Sequence, residues 1–132
     1  MHFIVCIDDR DGLSFCGRRL SKDRLLNEHM LRLTAGQKLW MSPYSGKMFS
    51  ADQVLADENF LDKAQKGDYC FLETDFPDSL EQVESVTVYY WNRSYPSTER
   101  FPRQLLGAMR LVCTEEFVGS SHEKITMERY AL

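Results

Sequence analysis

CFLETDFPDSLE, residues 70–81, reads as a buried strand running straight into the start of a helix. Cys70, Phe71 and Leu72 are a short apolar run, and Pro77 stands where a first helical turn accepts proline. In sheets whose strands alternate with helices, a nucleotide phosphate often lies at such a turn. Glycines there normally let backbone N–H groups approach it. Here the turn carries Glu73, Thr74 and Asp75 instead. The stretch therefore points to an α/β fold and, in the same turn, to chemistry that opposes an anion. At ~4 Å and an effective dielectric near 20, each like-charge contact would cost roughly 4 kcal/mol before screening. A helix N-terminus returns typically less than ~1 kcal/mol.

The segments around it alternate in the same way. HFIVCID (2–8) is a continuous apolar run ending in acids, the pattern of a central buried strand. DDRDGLSFCGRR is expected as a loop. Ser21 can cap a helix carrying Leu25, Leu26, Met30 and Leu33, stopped by Gly36. QKLWM is a second strand, and SPYSGKMFS starts like a helix with Pro43 in its first turn. ADQVLADENFLDKAQKG predicts one or two short helices, and PDSLEQVE another. SVTVYYWN is the longest strand, rich in β-branched and aromatic residues, with Tyr89 and Trp91 on one face and Tyr90 on the other. SYPSTERFPRQLLG is a long loop. MRLVCTEEF and HEKITMERYAL form a closing antiparallel hairpin whose broken alternation leaves room for a bulge. The sum is one domain over residues 1–132: a mostly parallel sheet with helices on both faces and an antiparallel C-terminal edge.

The chain has 132 residues, 43% of them hydrophobic and 27% charged, as in an ordinary globular domain. A formal charge of −4 gives no general attraction to nucleic acid. Four cysteines, Cys6, Cys16, Cys70 and Cys113, contain no C-x-x-C pair and no neighbouring histidine at zinc-ligand spacing. Cys6, Cys70 and Cys113 fall in apolar strand runs, where a thiol acts as a small hydrophobe. With no secretory leader and no run long enough for a membrane span, a cytoplasmic protein with reduced thiols is expected.

Several words of the sequence, taken in this order, resemble dihydrofolate reductase. They are FIVCIDD with its glycine-containing loop, LSKD (20–23), AGQKLWMS (35–42), VTVYYWNRSYPSTERFP (86–102) and LVCTEEFVGSSHEKITMERY (111–130). The resemblance spans nearly the whole chain and implies that family's fold, with a strand–helix unit reduced between Phe49 and Asp68. It also implies that Asp23 stands where the family keeps its substrate carboxylate. On the cofactor side the chain departs from the family. Met41 is followed by Ser42-Pro43-Tyr44-Ser45, without the family's glycine and basic residue. Glu73-Thr74-Asp75 replaces its Gly-Gly pair. The pattern GRRLSKDRLLNE, LWMSPYSGKMF, GSSHEKIT further resembles a small bacterial family often labelled ribonuclease Z. That activity needs a two-zinc site with an H-x-H-x-D-H run. His2, His29 and His122 are isolated, so no metal site is expected.

Asp23 has two readings. It can serve as a first-turn acid that favours the dipole of its helix, or as a carboxylate paired to the amidine-like edge of a heterocycle. Ser42, Tyr44 and Ser45 are the remaining candidate ligand-binding residues. Arg18, Arg19 and Lys47 could rebuild a phosphate site by folding over it. His122 and His29 read as structural, and Ser120-Ser121 as turn chemistry. Three functions remain open at this level. The leading one is a divergent, non-catalytic relative with a degraded dinucleotide site that binds a small heterocycle or a protein. The second is an NADPH-dependent pterin-type reductase with a rebuilt phosphate site. The third is an interaction module using the 93–104 loop.

Overall fold

The computed structural model describes residues 1–132. In chain order its strands are β1 (His2–Ile7), β2 (Gly12–Phe15), β3 (Arg18–Arg19), β4 (Leu39–Met41), β5 (Val54–Ala56), β6 (Tyr69–Phe71), β7 (Ser85–Tyr90), β8 (Glu99–Arg100), β9 (Arg110–Phe117) and β10 (Ile125–Ala131). Its helices are α1 (Arg24–Leu33), α2 (Pro43–Gly46) and α3 (Phe60–Lys63), with a 3-10 turn over Arg103–Ala108. Seven strands form the main sheet in the order β5-β4-β6-β1-β7-β10-β9. The first five are mutually parallel, and β10 runs antiparallel to both β7 and β9. The mostly parallel sheet with an antiparallel closing hairpin is the architecture expected from the sequence.

The central run of β1 is apolar throughout because both its faces are covered. Phe3, Val5 and Ile7 belong to one core, and Ile4 and Cys6 to the other. Leu26 and Met30 of α1, four residues apart, lie fully buried on the Ile4 face. Each contributes roughly 1.5–3 kcal/mol of burial. On the opposite face Phe60 and Leu61 of α3 pack against the second core, to which Leu106 of the 3-10 turn also belongs. Tyr89 and Trp91 share the α1 face while Tyr90 takes the other.

The register of β10 on β9 jumps where Arg129 pairs with Cys113 and Tyr130 with Leu111. The bulge expected in this hairpin is therefore present, with the extra residue, Val112, on β9 rather than on the last strand.

Four local expectations differ from the structure. Residues 77–84 form no helix; the stretch is too short and too poor in apolar anchors to nucleate one. Residues 51–67 hold a strand as well as a one-turn helix, because Val54–Ala56 finds a parallel partner in Leu39–Met41. The expected loop after β1 contains β2 and β3, which join β8 in a separate three-stranded sheet, β3-β2-β8. The cap of α1 is Asp23, not Ser21: its Oδ1 accepts from the backbone N–H groups of Leu25 and Leu26, at 3.0 and 3.1 Å.

Candidate functional site

The carboxyl ends of β1, β4, β6 and β7 face three features: the Asp23 corner, the Glu73 corner, and a cleft beside α1. Open α/β sheets commonly place ligands at this end.

Asp23 sits just before α1 with its side chain wholly buried. Besides capping the helix, the carboxylate accepts from the backbone N–H groups of Ser120 (2.9 Å) and Ser121 (2.8 Å). It also accepts from both serine hydroxyls at 3.2 Å, and His122 Nδ1 lies 2.9 Å from Oδ2. An ionised carboxylate only accepts, so Nδ1 carries the proton that faces Asp23. Tyr95 Oη lies 2.9 Å and Ser21 Oγ 3.2 Å from Nε2, and the Trp91 ring stacks on the imidazole at 4.7 Å. Burial works to raise the Asp23 pKa. The Ser120 and Ser121 amides, with His122, outweigh it and hold the carboxyl well below its ordinary value. Both readings of Asp23 placed it correctly at the helix start. Neither anticipated that its partners come from the β9–β10 turn.

Glu73, at the end of β6, is also buried. Arg19 Nε donates to its Oε2 at 2.7 Å and Arg19 Nη2 to its Oε1 at 3.2 Å. Ser45 Oγ donates to the same Oε1 at 2.8 Å. The Arg19 guanidinium lies over the Tyr44 ring, 4.3 Å from its centroid. Ser42 caps α2, accepting from Ser45 N–H, and its own hydroxyl donates to Ser45 Oγ. The structure thus brings Arg19, Ser42, Tyr44 and Ser45 together around Glu73, away from Asp23. Arg18 and Lys47 are exposed and make no ion pair.

The repulsion expected from Glu73 needs revision, since Arg19 neutralises that charge. A depression of about 350 Å³ remains beside it, between the ends of β4 and β6. Its wall includes Glu58, Glu73 and Asp75 and contains no lysine or arginine. Of the three cations considered for a rebuilt phosphate site, Arg19 is spent on Glu73, and neither Arg18 nor Lys47 lines the depression.

The third feature is a cleft of about 450 Å³ between α1, residues 48–50 and the Ser120-Ser121 turn. Leu31, Met48 and Phe49 form its apolar wall, and its polar side carries two cations, Lys22 and Arg24, and two acids, Asp23 and Glu28. This size and mixture suit a small organic ligand.

The histidines stay apart. His2 Nδ1 meets Ser85 Oγ, and His29 bridges Tyr89 Oη and Glu115. No cluster of three or more His, Cys, Asp or Glu side chains gathers to hold a metal. No helix is long and apolar enough to cross a membrane. Cys6 and Cys70 are buried as expected. Cys113 is exposed, because β9 is an edge strand open on both faces.

No family model matches the chain, and no curated protein matches it in sequence. Among solved structures, it matches dihydrofolate reductase from Enterococcus faecalis complexed with NADP(H) and RAB-propyl. The TM-score is 0.69, with 13% identity, over 98% of this chain and 94% of that one. Such an identity speaks for architecture alone: the chain has the dihydrofolate reductase fold.

Proposed function

We propose that this chain is a non-catalytic relative of the reductase fold that binds a small ligand in the cleft beside α1 and does not use a dinucleotide. One observation carries the reading. The carboxylate of Asp23, which a heterocyclic substrate would have to reach, is saturated by the chain's own Leu25, Leu26, Ser120, Ser121 and His122. A buried acceptor so occupied has nothing left for an incoming amidine edge. The cofactor side agrees. With Glu73 neutralised by Arg19, the depression still presents Glu58 and Asp75 and no lysine or arginine to the diphosphate of NADP(H). The chain therefore supplies neither half of a hydride transfer from NADPH to a pterin.

The cleft beside α1 borders the Asp23 corner, sharing Asp23, Ser120 and Ser121 with it, and lies apart from the Glu73 corner. Its apolar wall of Leu31, Met48 and Phe49 would take a flat hydrocarbon or aromatic body. Arg24 at its rim is paired to Glu28 at 3.1 Å, which leaves Lys22 as the cation that would meet an anionic substituent.

Titration with NADPH, followed by the fluorescence of Trp91 and Trp40, tests the cofactor part. No response at millimolar concentration is expected, and a saturable one would overturn it. Thermal shift against folates, pterins and small aromatic carboxylates tests the ligand part. Stabilisation by an aromatic carboxylate, lost in Phe49→Ala, is expected; no stabilisation by any of these classes would sink the cleft assignment.

A further inference from the structure

We infer that β9 is a self-association edge, at which two copies of this chain pair antiparallel about a two-fold axis near Cys113. The two edges of the main sheet are built differently. β5 is three residues long, short enough to protect itself, whereas β9 has eight residues, and every one from Arg110 to Glu116 is exposed. Four of the six exposed large hydrophobic residues belong to this hairpin or its ends: Leu111 at 50%, Val112 at 51%, Val118 at 69% and Leu132 at 74%. An edge that offers free backbone groups beside bare apolar side chains is a template for another strand.

Charge selects the occupant and its direction. β9 begins with Arg110 and carries Glu115 and Glu116 just before its last residue, Phe117. Two parallel copies would set like charges side by side. Two antiparallel copies centred near Cys113 set each Arg110 beside the acidic end of the other, twice by symmetry. That acidic end is available. Glu115 and Glu116 are each more than half exposed, although Glu115 also meets His29 and Glu116 lies 3.7 Å from Lys124. The Val112 bulge interrupts the ladder toward β10 and leaves Leu111 and Val112 both uncovered, so pairing would bury apolar surface as well as backbone.

Sedimentation velocity of the full chain over a wide concentration range reads the association directly. A monomer–dimer equilibrium is expected. Arg110→Glu should weaken it by at least about tenfold, and the charge swap Arg110→Glu with Glu115→Lys and Glu116→Lys should restore it. Val112→Lys should abolish it while circular dichroism and the melting curve stay native. As a check that needs no interface variant, mild oxidation of Cys16→Ser protein should yield a covalent dimer through Cys113. A wild-type chain monomeric at every concentration would overturn the inference. So would a dimer indifferent to Arg110→Glu and Val112→Lys, or oxidation that leaves the Cys16→Ser protein uncrosslinked.

Discussion

The imidazole Nδ1 of His122 lies 2.9 Å from Oδ2 of Asp23, across 99 residues of sequence, and neither side chain is more than 1% exposed. The β9–β10 turn is thereby pinned to the start of α1. Asp23→Asn replaces one acceptor oxygen by an amide that faces donors, leaving buried N–H groups unpaired, and is expected to cost about 1–3 kcal/mol at neutral pH. The pH dependence follows from the depressed Asp23 pKa. A carboxylate held below its unfolded value contributes in full above that value and loses its contribution as the pH falls through the folded one. Wild-type stability should therefore drop steeply below about pH 4, and the Asp23→Asn profile should be flatter there. Urea unfolding at a series of pH values checks both statements.

Gly119 packs directly against that carboxylate. A Cβ at this position would strike Asp23 Oδ2 and Cγ, a collision with a buried, fully hydrogen-bonded group that cannot move aside. Gly119→Ala should destabilise by about 1–3 kcal/mol, whereas Gly107→Ala, where a Cβ meets nothing, should cost much less. Thermal unfolding of the two variants side by side tests the contrast.

Arg19 and Glu73 should be energetically coupled. Their pair of hydrogen bonds, with side chains 22% and 7% exposed, ties β3 to the end of β6. A double-mutant cycle of Arg19→Ala and Glu73→Ala is expected to give about 1.5–3 kcal/mol of interaction. Arg19→Lys should recover little of it, because a single ammonium cannot reproduce the two-pronged contact or the stacking on Tyr44. A Lys variant as stable as wild type would show that charge alone, rather than geometry, matters there.

The four thiols should divide into two pairs. Burial pushes Cys70 up to about 12 and raises Cys6 well above its ordinary value, while Cys16 and Cys113 are exposed. In dilute solution, where the chain is monomeric, a thiol-specific chromophore should label two cysteines quickly and the other two only on unfolding. Rapid modification of Cys6 or Cys70, located by mass spectrometry, would contradict the packing of the central strands.

Much of the architecture was legible in the residues. HFIVCID and SVTVYYWN announce central strands because continuous apolar or β-branched runs belong only where both faces are covered. The broken alternation in the last strand foretold a bulge, although that bulge falls on β9. Short elements were less legible. Val54–Ala56 is a strand only because β4 offers a free parallel edge, and residues 77–84 lack the length to sustain a helix alone. Ser42, Tyr44, Ser45 and Arg19 do meet in one place, around Glu73, while Arg18 and Lys47 stay exposed and apart.

From the sequence alone come the mostly parallel sheet with its antiparallel closing hairpin, the two-sided core and the acidic, glycine-free turn after β6, since apolar pattern and residue type act locally along the chain. Tertiary structure decided what each carboxylate can still do. Asp23 is filled from the β9–β10 turn and Glu73 from β3, 54 residues away. Whether an acid is free or spent depends on the donors that chain crossings bring within about 3 Å, and no local pattern reports those crossings.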